Sequence, residues 1–231
     1  MEMIWENNMD TIIFDLDNTL YSEKSYVKSG FKAVTKYLVE KYGYDSDVLF
    51  SKIMKIFNED GRGNVFDRLI NDLNLDEDIS TLVYIYRYHF PDISLYPESI
   101  NLLNNLKNHY KLALITDGRS FVQKRKVDAL NVEKYFDIIV FTDILGETFW
   151  KPSVEPYKLV LSVLGCDASD ACYIGDDPYK DFKAPKKLGM KSIQVKMEDE
   201  IDYWKKRGFK RINADFQVNN LNDILGVLDE N

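Results

Sequence analysis

Short apolar runs that end in polar residues recur along this chain, and they fall into two textures. The first run, Thr11 to Phe14, is unbroken, the pattern of a strand buried on both faces of a parallel sheet. From Lys111 onward such runs alternate with helical spacing. Lys111 to Ile115 predicts a strand, Phe121 to Leu130 a helix, Phe136 to Phe141 a strand and Val154 to Leu164 a helix. A strand ending at Tyr173 and Ile174 follows, then a helix from Pro178 to Leu188 that carries Pro185, then a strand from Lys191 to Val195. Alternation of this kind predicts βαβ units and a parallel sheet.

Between Glu23 and Phe90 the pattern changes. Tyr26, Phe31, Val34 and Leu38 recur at helical spacing, as do Leu49, Ile53, Ile56 and Phe57, and then Phe66, Leu69, Ile70 and Leu73. Three or four amphipathic helices and no buried strand are expected there. Tyr84, Tyr86 and Tyr88 alternate like a strand, but Leu82, Ile85 and His89 favour a helix. The expected fold class is α/β: a Rossmann-like parallel sheet flanked by helices, with a helical domain inserted after the first strand. Residues 1–21 and 92–231 form the expected core and residues 22–91 the insert. Tyr21-Ser22 and the stretch from Pro91 to Pro97 are the crossings.

Composition narrows the partners. The chain has 231 residues and a formal net charge of −8, which argues against a nucleic-acid or anionic-membrane surface. Lys124-Arg125-Lys126 and the cluster from Lys183 to Lys187 read as solvated helix faces. Cys166 and Cys172 form no close Cys-x-x-Cys pair and read as reduced thiols. Met1 to Met9 lacks the apolar stretch of a signal peptide, and no run approaches the roughly 20 residues of a membrane span. A cytoplasmic protein is expected, with its oligomeric state open.

The candidate chemistry sits at the ends of the apolar runs. Asp15 and Asp17 follow the first run directly, where open α/β sheets bind ligands. Two like charges so close need a cation or a shared proton, so the pair suggests a metal, a nucleophile and a proton carrier in one turn. The second run ends in Thr116-Asp117-Gly118. Lys151 precedes a helical stretch. The run from Ala171 to Ile174 ends in Gly175-Asp176-Asp177-Pro178-Tyr179-Lys180-Asp181. No Walker-type loop or serine-hydrolase elbow accompanies them, and the only histidines, His89 and His109, lie away from these segments.

Asp15-x-Asp17-x-Thr19, Thr116, Lys151 and Gly175-Asp176-Asp177-x-x-x-Asp181, in that order, resemble the four motifs of the haloacid dehalogenase-like (HAD) hydrolase superfamily over about residues 10 to 195. The resemblance makes the helical insert a C1-type cap, expected to close over the site, exclude water and select the substrate. It implies a phosphatase that hydrolyses a small phosphate monoester through an aspartyl-phosphate. Asp15 would be the nucleophile and Asp17 the general acid and base. Thr19 would orient the turn through its hydroxyl. Thr116, with the backbone N–H groups of Asp117 and Gly118, would bind the phosphoryl oxygens, and Lys151 would neutralise Asp15 and the phosphoryl group. The implied cofactor is Mg²⁺, held by Asp15, the Asp17 carbonyl and Asp176. Asp181 would hold a metal-bound water or stand behind the ligands, and Asp177 either joins it or caps the helix starting near Pro178.

The expected substrate is a small phosphorylated metabolite, a sugar phosphate or a nucleotide, with Arg62 and Arg119 as candidate contacts. Arg62 lies in the polar segment from Glu59 to Asn64, expected to be a loop between two insert helices. The resemblance disfavours a dehalogenase, which lacks the second Asp and the metal because a halide leaves without a proton. It disfavours a phosphonatase, whose Schiff-base lysine would be sought at Lys24 or Lys28, because that branch lacks Asp17. A phosphomutase, or a binding protein that has kept the fold, are the alternatives. Asn18 stands where Gly is common in the family, Asp117 where Asn is frequent, and Pro185 where a Gly-Ala pair is usual.

Overall fold

The computed structural model describes residues 9–197 and 210–229. Residues 1–8, on which the reading of the N-terminus rests, lie outside the described residues. In chain order, β1 (Thr11–Phe14) is followed by four helices, α1 (Glu23–Tyr42), α2 (Ser46–Asp60), α3 (Val65–Leu73) and α4 (Ile79–Tyr88). Then come α5 (Pro97–Leu106), β2 (Lys111–Thr116), α6 (Ser120–Leu130), β3 (Ile138–Phe141), α7 (Thr142–Leu145) and α8 (Glu155–Leu164). The series ends with β4 (Ala171–Gly175), α9 (Lys183–Leu188), β5 (Lys191–Val195), β6 (Phe216–Val218) and α10 (Asp223–Asp229). Two compact units result. One runs to Glu23 and resumes at Ser94; the other is Lys24–Ile93.

The first unit holds a six-stranded parallel sheet in the order β3-β2-β1-β4-β5-β6. Phe14 of β1 is in register with Leu114 on one side and Ile174 on the other. The chain builds outward from β1 through β2 to β3, then places β4 on the opposite flank of β1. The carboxyl ends of β1, β2 and β4 therefore border the point where strand order reverses, the usual ligand crevice of such sheets. Alternate residues Ile13, Ala113, Ile115 and Tyr173 join one buried cluster with Tyr157, Val160 and Phe182. The intervening Ile12, Phe14, Leu112, Leu114 and Ile174 are buried as well. Both faces are covered, which is why the runs read as continuous rather than alternating.

Two expectations need correction. The helix read from Pro178 begins only at Lys183. Residues 178–181 instead form a tight turn in which the N–H groups of Lys180 and Asp181 both reach the Asp177 carbonyl, at 3.3 and 2.9 Å. Pro185 is the physical reason. As the third residue of α9 it lacks an N–H that would have no partner inside the helix anyway; a helix begun at Pro178 would have needed it. The third strand starts at Ile138, because Asp137 is used as a brace: its carboxylate accepts the Leu112 N–H at 2.8 Å. The sequence reading passed over α5, α7, β6 and α10. Pro97 opens α5, where its fixed φ suits the first helical position. Among the described residues no helix is long and apolar enough to cross a membrane.

The second unit is wholly helical. Tyr26, Phe31, Val34 and Leu38 of α1 are buried, as are Leu49, Ile53, Ile56 and Phe57 of α2. On α3 the buried set is Val65, Phe66 and Leu69, shifted one turn from the expected stripe, so Ile70 and Leu73 are only half-buried. The alternating tyrosines lie on α4: Tyr86 packs among Phe31, Phe66 and Tyr26, while Tyr84 and Tyr88 face outward. Gly30 permits that packing, since a Cβ there would come within 2.5 Å of the Tyr86 ring. His89 is structural, with Nε2 3.0 Å from Ser29 Oγ and Nδ1 2.6 Å from the Tyr86 carbonyl.

Glu77, ahead of α4, ties back to α1 through Lys41 at 2.7 Å and the Tyr37 hydroxyl at 3.3 Å. Burial alone would raise its carboxyl, but these bonds outweigh it and hold it below the usual glutamate value of 4.5. A carboxyl depressed in the folded state contributes stability above its unfolded pKa and loses it as pH falls through the folded value. Glu77→Gln is therefore expected to lower the urea midpoint at pH 7, and the gap from the parent should close in acid below about pH 4.5. A gap that stays constant down to pH 3 would rule the carboxylate out as its source.

Candidate active site

The carboxyl end of β1 sets the site. Asp15 continues the strand's pairing, with its N–H on the Ile174 carbonyl at 2.8 Å. The chain then turns sharply, and the N–H groups of Thr19 and Leu20 both reach the Leu16 carbonyl, at 3.3 and 3.0 Å. Asn18 sits at φ +57°, the left-handed conformation that Asn tolerates better than other residues with a side chain. Asn therefore serves where the family commonly has Gly, and its Oδ1 also accepts the Glu23 N–H at 2.9 Å. The expected role of the Thr19 hydroxyl is not seen: that oxygen is buried without a hydrogen-bond partner among the described residues.

Lys151 is not an exposed residue ahead of a helix. Its side chain is fully buried, and the ammonium bonds Asp15 Oδ1, lies 2.9 Å from Asp181 Oδ1 and reaches the Tyr173 hydroxyl at 3.0 Å. Tyr173, rising from β4, passes the interaction on by donating to Asp181 Oδ1 at 3.1 Å. Asp181 Oδ2 accepts the Asp177 N–H at 3.0 Å. Gly175 makes room for this carboxylate, since a Cβ there would stand 2.6 Å from Asp181 Oδ2. Asp177 Oδ1 accepts the Tyr179 N–H at 2.8 Å, so it caps the turn at 178–181 rather than a helix.

Asp15, Asp176 and Asp181 each offer an oxygen within 4.8 Å of the other two. Asp15 Oδ2 and Asp176 Oδ1 are buried and have no hydrogen-bond partner among the described residues. Burial pushes the Asp15 carboxyl up to about 6 against the pull of Lys151. Burial, then the charges of Asp181 and Asp15, push Asp176 well above the usual range. Asp177 is pushed up to about 7 by burial. Asp181 alone of this group goes down, because the Lys151 and Lys180 charges outweigh its burial. Orphaned oxygens on both Asp15 and Asp176, in an all-oxygen donor set this close together, fit a hard divalent cation such as Mg²⁺. Both Asp181 oxygens already hold donors, so it suits the place behind the ligands.

Asp17 points elsewhere. Its Oδ1 accepts from the Tyr21 hydroxyl and from Lys126 Nζ at 2.7 Å, and its Oδ2 accepts from Gln123 Nε2 at 2.9 Å. Burial would raise this carboxyl, but Lys126 and these bonds bring it down to about 2. The same Gln123 amide donates to the Thr116 hydroxyl at the end of β2. Sequence reasoning missed Gln123 and placed Lys126 on a solvated face. Lys126 is in fact 4% exposed and ion-paired to Asp17. The available signal was the spacing: Gln123, Lys126, Val127 and Leu130 share one face of α6, the buried one. Lys180, a half-buried lysine whose charge acts on this cluster, was also passed over.

The remaining candidates lie further out. The Asp117 carboxylate accepts the Thr142 hydroxyl at 2.8 Å and the Lys151 N–H at 3.2 Å, tying the two loops together. Gly118 follows at φ +121°. Arg119 is half-exposed and engaged by Glu147 at 3.2 Å and Asp143 at 3.9 Å. Arg62 is exposed in the short connection between α2 and α3, within the helical unit. Glu59 and Asp60, read as part of that loop, are the last turn of α2 and grip Arg68 at 2.7 and 3.0 Å.

The model of the haloacid dehalogenase-like hydrolase family matches residues 12–195. The chain is 29% identical to a glyceraldehyde 3-phosphate phosphatase of Methanocaldococcus jannaschii, over 94% of this chain and 96% of that one. It is 27% identical to a phosphoglycolate phosphatase of Aquifex aeolicus, over 96% and 97% of the two chains. Its fold is similar to that of a HAD-type protein from Bacillus subtilis solved with magnesium bound, with a TM-score of 0.69, 18% identity and coverage of 95% and 98%.

Removing the Lys151 ammonium leaves Asp15 and Asp181 buried with no cation between them. Lys151→Met is expected to cost about 3 kcal/mol or more of stability in chelator, the range for breaking a buried pair from one side. Urea unfolding measures it, and an unchanged midpoint would mean that these carboxylates are neutralised in some other way.

Proposed function

Because the chain belongs to the haloacid dehalogenase-like hydrolases, we propose that it is a Mg²⁺-dependent phosphatase of a small phosphate monoester, with Asp15 as nucleophile. The observation that carries this reading is the state of Asp15. One oxygen is held by Lys151, and the other is buried, unpartnered and beside the equally unpartnered Asp176. A carboxylate pinned in this way keeps a fixed plane, which is what an in-line displacement needs.

In the first step the Asp15 carboxylate attacks phosphorus, the bond to the ester oxygen breaks, and Asp17 gives that oxygen its proton. In the second, water attacks the aspartyl-phosphate, Asp17 takes the water proton, and phosphate leaves Asp15 free. Lys126, Gln123 and Tyr21 hold Asp17 as the carboxylate that the second step requires. The dianionic substrate, arriving next to it, raises its affinity for the proton that the first step spends. Lys151 balances the charge on the phosphoryl oxygens. The Thr116 hydroxyl and the N–H groups of Asp117 and Gly118 donate to them. Mg²⁺, held by Asp15, the Asp17 carbonyl and Asp176, supplies further neutralisation of that charge when bound.

The substrate proposed is a soluble phosphorylated metabolite with a short carbon chain, as the names of the similar phosphatases suggest. The helical unit is proposed as the cap that selects it, with Arg62 as the first residue to test there. Arg119, whose guanidinium two carboxylates engage, is the second candidate. The compartment proposed is the cytoplasm, in keeping with two free cysteines.

Hydrolysis of 4-nitrophenyl phosphate is expected with Mg²⁺, lost in chelator and restored on adding the ion back. Asp15→Asn should lower kcat by about four powers of ten or more with the fold intact; near-normal turnover would show that the nucleophile lies elsewhere. Mg²⁺ should raise the unfolding temperature of the parent but not of Asp176→Asn. An equal rise in both would remove Asp176 from the metal site.

A further inference from the structure

The strongest feature outside the four motifs is the pair Gln123 and Lys126, one turn apart on the buried face of α6. Lys126 Nζ sits 2.7 Å from Asp17 Oδ1, and the Gln123 amide nitrogen donates to both Asp17 Oδ2 and Thr116 Oγ1. The pair thus connects the ends of β1 and β2 through side chains alone. Stability is a poor reason for it. Burying a lysine and an aspartate together gains little over packed apolar side chains of the same size, and Val127 and Leu130 already anchor α6.

Resting on the phosphatase reading above, we propose that Gln123 and Lys126 are positioning residues that set the two donors of the reaction, the Asp17 carboxyl and the Thr116 hydroxyl. An amide N–H₂ can only donate. Thr116 Oγ1 therefore uses a lone pair toward Gln123, and its own O–H is left to turn toward a phosphoryl oxygen. In the same way, the second amide hydrogen and the Lys126 ammonium hold both oxygens of Asp17, so its plane is fixed. Without Lys126 the carboxyl is held only by Gln123 and the Tyr21 hydroxyl. The two residues then act on different parts of the reaction. Lys126 acts on proton transfer to the leaving group, while Gln123 also acts on the phosphoryl oxygens that every substrate shares.

That division gives a readout that a merely structural role would not move. A 4-nitrophenolate leaves without needing a proton, whereas an alkoxide must be protonated as it departs. The probes are 4-nitrophenyl phosphate and whichever of glyceraldehyde 3-phosphate, phosphoglycolate and glucose 6-phosphate the parent turns over best. Lys126→Met should lower kcat/KM by about 100-fold on the alkyl phosphate, the lower end of what a positioned acid contributes, and by less than tenfold on 4-nitrophenyl phosphate. Gln123→Leu should lower both and weaken inhibition by inorganic phosphate. Because Lys126→Met alone leaves the Asp17 carboxylate uncompensated, which endangers folding, Asp17→Asn with and without Lys126→Met provides the second test. If Lys126 works through Asp17, the double variant should match Asp17→Asn within about twofold, because the partner of the lysine is already gone. Equal losses on both leaving groups, or a further loss in the Asp17→Asn background, would overturn the proposal. A parent that hydrolyses none of the four phosphates would instead overturn the phosphatase reading, and this inference with it.

Discussion

Everything in the core depends on one ammonium group. Lys151 stands between Asp15 and Asp181 and touches both, in a place where neither carboxylate meets bulk water. Like charges this close in a dry setting repel by several kcal/mol, so the strand ends can converge only if a cation is built in among them. The rest of the site is arranged to place that cation. Asp117 fixes the backbone of Lys151, Tyr173 and Tyr157 brace Asp181, and Gly175 leaves the space in which the carboxylate sits. Lys151, even with Lys180 nearby, leaves the acids gathered here in excess. The oxygens left over, on Asp15 and Asp176, are the ones a divalent ion would use.

How far this was legible in the sequence differs from element to element, for physical reasons. The sheet announced itself because parallel strands buried on both faces must be apolar throughout, and Thr11–Phe14 and Lys111–Thr116 are nearly so. Asp15, Thr116, Lys151 and Asp176 were legible because they follow such runs or stand at fixed order between them. β6 was not, since three residues at a sheet edge, only one of them buried, carry no period to detect. The helix at Pro178 was overextended because spacing ignores which N–H groups a proline removes.

Gln123 and Lys126 were hidden for a different reason. Amphipathic reading sorts polar residues to the solvent side, and Lys124-Arg125-Lys126 looks like a charged stripe. Only one of the three turns inward, and locally only its place on the face of Gln123, Val127 and Leu130 marks it. What gives Lys126 away is its partner Asp17, which is remote in sequence and adjacent only once β1 and α6 are assembled. Such pairs belong to the tertiary level: burying either member alone is unfavourable, and only assembly supplies the partner.

The placement of β1 at the centre of the sheet has a consequence for how the chain acquires its shape during synthesis. Thr11 needs Lys111 on one side and Ala171 on the other, so β1 leaves the ribosome long before the strands that enclose it. The four helices that follow it make contacts close in sequence and can form early, while an apolar strand with two open edges waits for the second half of the chain. Late closure of this kind slows folding and exposes a sticky segment meanwhile. The acids at the end of that strand act as a guard, because two adjacent negative charges oppose its stacking on copies of itself until the lysine from the far half arrives.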